Sequence, residues 1–215
     1  MGLLCTCPAA TEIQDIYLDS CPETVGQIQK IIFQRRYSSG TTENKFVIGT
    51  NNPNILATWT TVLTASDGTK AQVTPFVNDP TSTPGGPRTF GGGNATLGGV
   101  EIVVGREAST FEGVFHYVSQ RTIDDLKDLQ CEVLGVYFID EHGQIIGRTD
   151  DKSSPTDFLP IPISPKTLFI GDKGFGGLEN PDTNAIRFQM PPNWSDKLHI
   201  IAPATGFDPL SEISN

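Results

Sequence analysis

No apolar run in this 215-residue chain approaches the roughly 18 residues that a membrane-spanning helix needs. Basic clusters are also missing, because 15 lysines and arginines stand against 25 acidic residues and Arg35-Arg36 is the densest basic spot. The formal net charge of -10 repels both DNA and an anionic membrane surface. The sequence therefore predicts no membrane partner and no specific nucleic-acid binding. The acidity indicates either good solubility or a surface to which DNA must not stick.

Sequence motifs of known catalytic chemistry are absent. The chain has no G-x-S-x-G, H-E-x-x-H or calcium-loop pattern, and His116, His142 and His199 lie far apart in the sequence. We expect His142 in a turn, and the other two in strands, where packing or hydrogen bonding usually explains a histidine. A Cys131–His116 pair across neighbouring strands would lack a third group to orient the base. We therefore predict no catalytic residues and a protein that is not an enzyme.

Metal-ligand spacing is missing as well. The cysteines are Cys5, Cys7, Cys21 and Cys131. One residue separates Cys5 from Cys7 and no histidine lies nearby, whereas zinc sites favour C-x-x-C pairs. We expect Cys131 in an apolar strand and all four cysteines as reduced thiols. The sequence therefore predicts no metal site.

Two glycine-rich stretches, 91–93 and 171–177, resemble nucleotide loops only by their number of glycines. A phosphate-binding loop needs G-x-x-x-x-G-K-[ST] leading into a helix, and a dinucleotide loop needs G-x-G-x-x-G. No lysine follows the first stretch directly, and the second lacks that spacing and a following helix. We therefore predict no cofactor, and we expect residues 80–99 to form a flexible hairpin tip or a subunit-contact loop.

The central stretch of the chain, 99–147, predicts the order β-β-α-β-β. Phe111, Gly113 and Phe115 occupy alternate positions, which is typical of a pleated strand with two different faces. Ile123 and Leu126 then recur at helical spacing, with acidic residues between them. The predicted strands are 100–107, 110–118, 132–139 and 144–148, and the predicted helix is 120–130, capped by Ser119 or Thr122.

The remaining patterns predict a mainly β fold. Residues 27–37 carry apolar groups on both faces, which indicates a central strand or one covered by another subunit. A helix is expected to begin at Pro53, and shorter strands are expected at 46–48, 71–77, 158–163, 167–170, 185–190 and 197–202. We predict an antiparallel β-sandwich or barrel with one or two short flanking helices, long loops and terminal arms.

Composition divides the chain into three parts. Residues 1–26 predict an N-terminal arm, because they are small, polar and acidic and can bury little surface of their own. Residues 27–202 predict the β-sandwich domain, with the Gly/Pro-rich loop at 80–99. Residues 203–215 predict a loose C-terminal tail.

One stretch of the sequence resembles a known class of proteins. Residues 21–36, CPETVGQIQKIIFQRR, look like the opening strand of virion structural proteins of tailed phages of gut bacteria. Trp59, DGTK at 67–70 and VTPF at 73–76 extend this likeness. The rest of the chain is similar to phage tail tube (major tail) proteins in layout, with a β-sandwich, one flanking helix, long loops and terminal arms.

The resemblance implies a structural subunit that is made in the host bacterial cytoplasm and ends in the virion tail. It implies a homo-hexameric ring stacked head to tail on further rings, around a channel that DNA crosses without specific binding. Its partners would be copies of itself and other virion proteins, contacted through residues 80–99 and the arm at 1–26. Glu101 and Glu112, on neighbouring predicted strands, are the residues that we expect to face the channel; otherwise they are ordinary solvent-facing residues.

Other functions fit the same sequence. The acidic N-terminal arm and the Pro-rich stretch 155–165 go beyond what a minimal tube protein needs, which leaves a neck or connector ring protein or a capsid-decorating protein as alternatives. A monomeric ligand-binding β-sandwich is the alternative outside the virion. A lectin-like module should cluster its exposed aromatic residues, whereas Trp59 and Trp194 lie in separate segments.

Overall fold

The computed structural model describes residue 16, residues 24–151 and residues 154–214. These residues contain sixteen strands, whose pairs are antiparallel, and three α-helices. This confirms the predicted mainly β class. The strands are β1 (Ile28–Arg35), β2 (Tyr37–Ser39), β3 (Thr42–Glu43), β4 (Phe46–Val47), β5 (Ala71–Val73), β6 (Val77–Thr83), β7 (Pro87–Gly91), β8 (Glu101–Arg106), β9 (Ser109–His116), β10 (Leu134–Asp140), β11 (Ile145–Thr149), β12 (Asp157–Leu159), β13 (Ile161–Pro162), β14 (Phe169–Ile170), β15 (Thr183–Met190) and β16 (Leu198–Ile201). The helices are α1 (Leu56–Leu63), α2 (Gln120–Asp128) and α3 (Pro209–Glu212).

Strands β1 and β10 form the centre of the molecule. Ile31, Ile32 and Phe33 follow one another in β1 and are all buried, and every residue of β10 is buried. Strands that are buried on both faces need a packed layer on each side. This arrangement confirms the central strand that the sequence predicts at 27–37.

The strands form two main sheets. The larger sheet has the order β4-β12-β11-β10-β1-β5, with β13 added beside β10 and β16 beside β11. The smaller sheet has the order β14-β15-β9-β6. In β9 the buried residues Ser109, Phe111, Gly113 and Phe115 alternate with more exposed ones, so one face of the smaller sheet is buried and the other is open.

The first hydrophobic core lies between these two sheets. Phe111 and Phe188 of the smaller sheet stack with ring centroids 5.0 Å apart. Phe138 of the larger sheet lies 5.0 Å from Phe111, and Phe33 lies 6.1 Å from Phe188. The two sheets therefore pack face to face as the predicted β-sandwich.

The second core lies on the opposite face of the larger sheet. Trp59 of α1 is fully buried there, 5.3 Å from Tyr137 and 4.9 Å from Phe46, and its indole N–H donates to the carbonyl of Pro53. Phe158 stacks on Tyr137 at 5.3 Å. Helix α1 thus covers the face of the larger sheet that the smaller sheet leaves open.

The C-terminal residues also pack on this second core. Phe207 and Ile213 are buried, and the Lys30 ammonium donates to the carbonyl of Ile213 at 3.0 Å. These contacts differ from the loose tail expected at 203–215. The two buried apolar residues lie just before and just after the short helix α3 in an otherwise largely polar stretch.

The chain crosses between the sheets in two places where the sequence predicted continuous units. The strand expected at 71–77 is two strands, β5 in the larger sheet and β6 in the smaller one, because Pro75 between them lacks the N–H of a regular strand. Helix α2, capped by Ser119 as predicted, carries the chain from β9 to β10. The β-β-α-β-β stretch is therefore shared among the hairpin β7–β8 and both sheets.

Part of the predicted N-terminal arm at 1–26 lies outside the described residues. The same holds for Cys5, Cys7 and Cys21. Residue Gly26, where the arm would join β1, donates its backbone N–H to the Asp140 carboxylate at 3.0 Å.

Candidate functional site: an exposed apolar hairpin

Strands β7 and β8 form a two-stranded hairpin that is separate from both main sheets. Phe90 lies opposite Ile102, and Thr89 lies opposite Val103, so neighbouring apolar residues of β8 point to opposite faces. Phe90 is 61% exposed, Ile102 is 54% exposed and Val103 is 60% exposed. A two-stranded hairpin without a packed face is marginally stable in water. Burial of its apolar surface against a partner would therefore be favourable.

Glycine geometry shapes the tip of the hairpin. Gly91 has φ +104, and a Cβ at this position would lie 2.3 Å from the Thr96 methyl group, so only glycine fits. The Thr96 hydroxyl accepts from the backbone N–H of Gly92 at 3.2 Å and donates to the carbonyl of Val100 at 2.6 Å. This tip presents Leu97 fully to solvent.

The base of the hairpin is fixed at one end of the smaller sheet. The backbone N–H of Gly85 donates to the Ser109 hydroxyl at 3.2 Å, where β9 begins. The Arg106 guanidinium donates to the Asn193 amide oxygen at 3.0 Å, just beyond the end of β15. The hairpin therefore leaves the body at the end of the sheet where β9 starts and β15 finishes.

The two glutamates that were expected to face a channel lie on strands that do not pair with each other. Glu101 lies opposite Gly91 inside the hairpin, and Glu112 lies on the open face of the smaller sheet. β8 and β9 follow each other along the chain, as the sequence predicts, but β9 pairs with β15 and β6 while β8 pairs with β7. The Glu112 carboxylate forms an ion pair with Arg187 at 3.0 Å. That either glutamate faces a channel stays a prediction.

The histidines and the described cysteine lie in separate surroundings. His116 ends β9, His142 lies in the turn between β10 and β11, and the ring of His199 lies 6.1 Å from that of Phe158. Cys131 is exposed in a helical turn after α2, and not in the apolar strand that we expected. Among the residues that the structure describes, no group of three His, Cys, Asp or Glu side chains is placed to hold a metal ion.

A cavity of about 470 Å³ lies beside β11 and β12, and several of its charged groups form ion pairs within the fold. Glu43 accepts from Arg36 at 2.9 Å and from Arg148 at 3.0 Å, and Lys45 donates to Asp157 at 2.6 Å. Burial raises the pKa of Glu43, but hydrogen bonds and charges from Arg36 and Arg148 outweigh it, so the pKa lies below its usual value. These paired charges are those of a structural network.

No helix within the described part of the chain is both long enough and apolar enough to cross a bilayer.

Two solved structures are similar to part of the chain. One is described as the tail of an empty GTA particle, computed with helical refinement and C6 symmetry; it has 12% identity and a TM-score of 0.32 over 61% of this chain and 88% of its own. The other is the virion of a native gene transfer agent (GTA) particle, with 12% identity and a TM-score of 0.34 over 59% of this chain and 85% of its own. A likeness of this size does not assign the chain to a family. No protein-family model matches the chain, and no curated protein matches it either.

The sequence predicted a hairpin tip or a subunit-contact loop at 80–99, but not that the apolar run Ile102, Val103 and Val104 forms the second strand of this hairpin with its side chains exposed. The signal was present, because an apolar strand directly follows a glycine-rich tip and can pair back across it. At residues 171–177 the glycine spacing excluded a nucleotide loop, but no local pattern indicated that Phe175 and Leu178 are exposed.

Proposed function

We propose that the protein is a non-enzymatic structural subunit of a phage-like virion. Many copies of this subunit would assemble with one another. Its proposed place is the tail tube, as stacked hexameric rings around a DNA channel. The observation that carries this proposal is the hairpin β7–β8, whose large apolar side chains project from the body with both faces uncovered. Self-association would bury this apolar surface, whose exposure to water is unfavourable.

The electrostatics of the surface support a conduit through which DNA passes without binding. The chain carries a net charge of -10, and phosphates are repelled by such a surface. Many described basic side chains already have acidic partners within the fold, so they are less available to DNA phosphates. These pairs are Arg35–Glu132, Arg36–Glu43, Arg148–Glu43, Lys45–Asp157, Lys127–Asp172 and Arg187–Glu112.

The proposal is tested by negative-stain electron microscopy of the purified protein together with its mass in solution. Stacked rings or tubes with an open channel are expected. Closed rings that never stack would instead favour a neck or connector protein, and a monomer at high concentration would refute the proposal.

A matched pair of variants tests whether the hairpin drives the assembly. Val103→Asp places a charge on the hairpin, and Val133→Asp makes the same change at a residue that is 45% exposed and lies outside the hairpin. Assembly should be lost in the first variant and kept in the second, while circular dichroism shows the same fold for both. Equal assembly of both variants would show that the hairpin is not part of the interface.

A further inference from the structure

We propose that the hairpin β7–β8 docks onto the far end of the smaller sheet of a second copy of this chain, at a surface formed by Tyr117, Phe175 and Leu178. We call this surface the far-end patch. The inference rests on the proposed self-association and adds the identity of the two surfaces that meet.

The hairpin and the far-end patch lie at opposite ends of the smaller sheet. The register pairs Met190 with Ser109 at the end that carries the hairpin, and Thr183 with His116 at the other end. At about 3.4 Å per residue, Ser109 and His116 at the two ends of β9 lie about 24 Å apart. One copy can therefore offer its hairpin and receive another hairpin at the same time.

The far-end patch is fixed to the sheet by backbone contacts. The backbone N–H of Tyr117 donates to the carbonyl of Asp182 at 3.2 Å, and Gly174 forms a β-bridge with Thr183. The loop that carries Phe175 and Leu178 is thus held at the end of β9 and β15.

The patch exposes three large apolar side chains. Tyr117 is 81% exposed, Phe175 is 87% exposed and Leu178 is fully exposed. Tyr117 also has φ +54, a backbone conformation that an aromatic residue rarely adopts. Tyr117 therefore places a tyrosine ring, a residue type enriched at interface hot spots, at a constrained backbone position.

The charges of the two surfaces are complementary. Over residues 87–106 the hairpin carries the exposed Arg88 and Arg106 against Glu101, a net charge of +1, and the exposed Glu107 follows at its base. Residues 171–182 carry Glu179 and Asp182 against Lys173, because the third carboxylate, Asp172, is paired with Lys127 of α2; the excess is one negative charge. Two hairpins would repel each other through their arginines, whereas a hairpin and a far-end patch attract.

Different surfaces at opposite ends produce a heterologous contact, which repeats from copy to copy and leaves one free hairpin and one free patch at the ends of an open chain. A self-complementary contact between two hairpins would stop at a pair. The arrangement of apolar and charged groups therefore favours continued head-to-tail growth, or closure of that growth into a ring.

The test uses Val103→Asp, which damages the hairpin, and Leu178→Asp, which damages the far-end patch. Both side chains are exposed, so neither change should unfold the protein, and circular dichroism checks this. An uncompensated charge buried at the interface should weaken association by about a hundredfold or more. Val133→Asp is the control and should assemble as the unmodified protein does.

Mixing the Val103→Asp and Leu178→Asp proteins tests whether the hairpin binds the far-end patch. The Val103→Asp protein keeps an intact patch and the Leu178→Asp protein keeps an intact hairpin, so the mixture should form joined species with twice the mass that either variant has alone. Light scattering measures this mass. Two variants that both fail to assemble and do not join on mixing would overturn the pairing, as would a Leu178→Asp protein that assembles normally. If the unmodified protein is itself monomeric, the proposed function fails together with the docking of a second copy.

Discussion

Asp140 is fully buried at the turn between β10 and β11 and organises the backbone around it. Its Oδ1 atom accepts from the N–H groups of His142 at 3.0 Å and Gln144 at 2.8 Å, and its Oδ2 atom accepts from Gly26 at 3.0 Å. The carboxylate thus joins the turn to the residue at which the predicted N-terminal arm would enter the body.

Replacing Asp140 with alanine should be strongly destabilising. Hydrogen bonds to a charged group contribute about 1.5 to 3 kcal/mol each, and a buried donor left unpaired costs about 1 to 3 kcal/mol. Water entering the vacated space would recover part of this loss. We therefore expect Asp140→Ala to lower the free energy of unfolding by about 3 to 5 kcal/mol. Asp140→Asn should cost about 1 to 2 kcal/mol, because its oxygen can still accept while its amide group faces one of the N–H donors.

Urea denaturation followed by tryptophan fluorescence measures these differences, with the slope m compared between variants. Glu141→Ala is the matched control, because Glu141 is partly exposed and accepts one longer bond, from the N–H of Gln27 at 3.3 Å. It should change the free energy of unfolding by less than about 1 kcal/mol. An Asp140→Ala protein as stable as the Glu141→Ala protein would refute the role assigned to the buried carboxylate.

Two further changes follow from the charge network and the helix cap. Glu43→Gln should lower the free energy of unfolding by about 1 to 2 kcal/mol at pH 7, since it leaves the half-buried Arg148 without its counter-ion. Because the pKa of Glu43 is lowered in the folded state, its stabilisation is present above the unfolded pKa and is lost as the pH falls through the folded pKa. The stability difference between the two proteins should therefore shrink in acid, and a constant difference from pH 7 to pH 3 would contradict this. Ser119→Ala should cost about 1 kcal/mol, because the Ser119 hydroxyl accepts from the N–H of Thr122 at 3.2 Å. Ser119→Asn should keep the cap, and equal stability of the two Ser119 variants in urea would contradict this role.

Local sequence patterns predicted individual strands and helices better than they predicted which strands pair with each other. The alternation around Phe111 and the helical spacing of Ile123 and Leu126 correctly predicted β9 and α2, because both periods arise from neighbouring residues. The assignment of β9 and β10 to different sheets depends on contacts between distant parts of the chain. No local period encodes such contacts.

The exposure of side chains depends on the same long-range contacts. The apolar run around Val103 has the pattern of a buried strand, yet its side chains are exposed because only β7 pairs with β8. Conversely, Ile213 is buried although its neighbours are polar. Hydrophobicity alone indicates a surface that avoids water. Whether the chain itself or a second copy covers that surface follows only from the tertiary arrangement.

The pairing of Glu112 with Arg187 changes how a channel surface would work in this protein. The open face of the smaller sheet places the two charges 3.0 Å apart, so at a distance they largely cancel. Both side chains are about half exposed, and salt would further weaken their individual fields. If this face lined a channel, it would be close to neutral at this position, and DNA would slide past it for lack of an unpaired cation. Repulsion of phosphates would then depend on the excess of acidic residues over the whole subunit, with no single glutamate decisive.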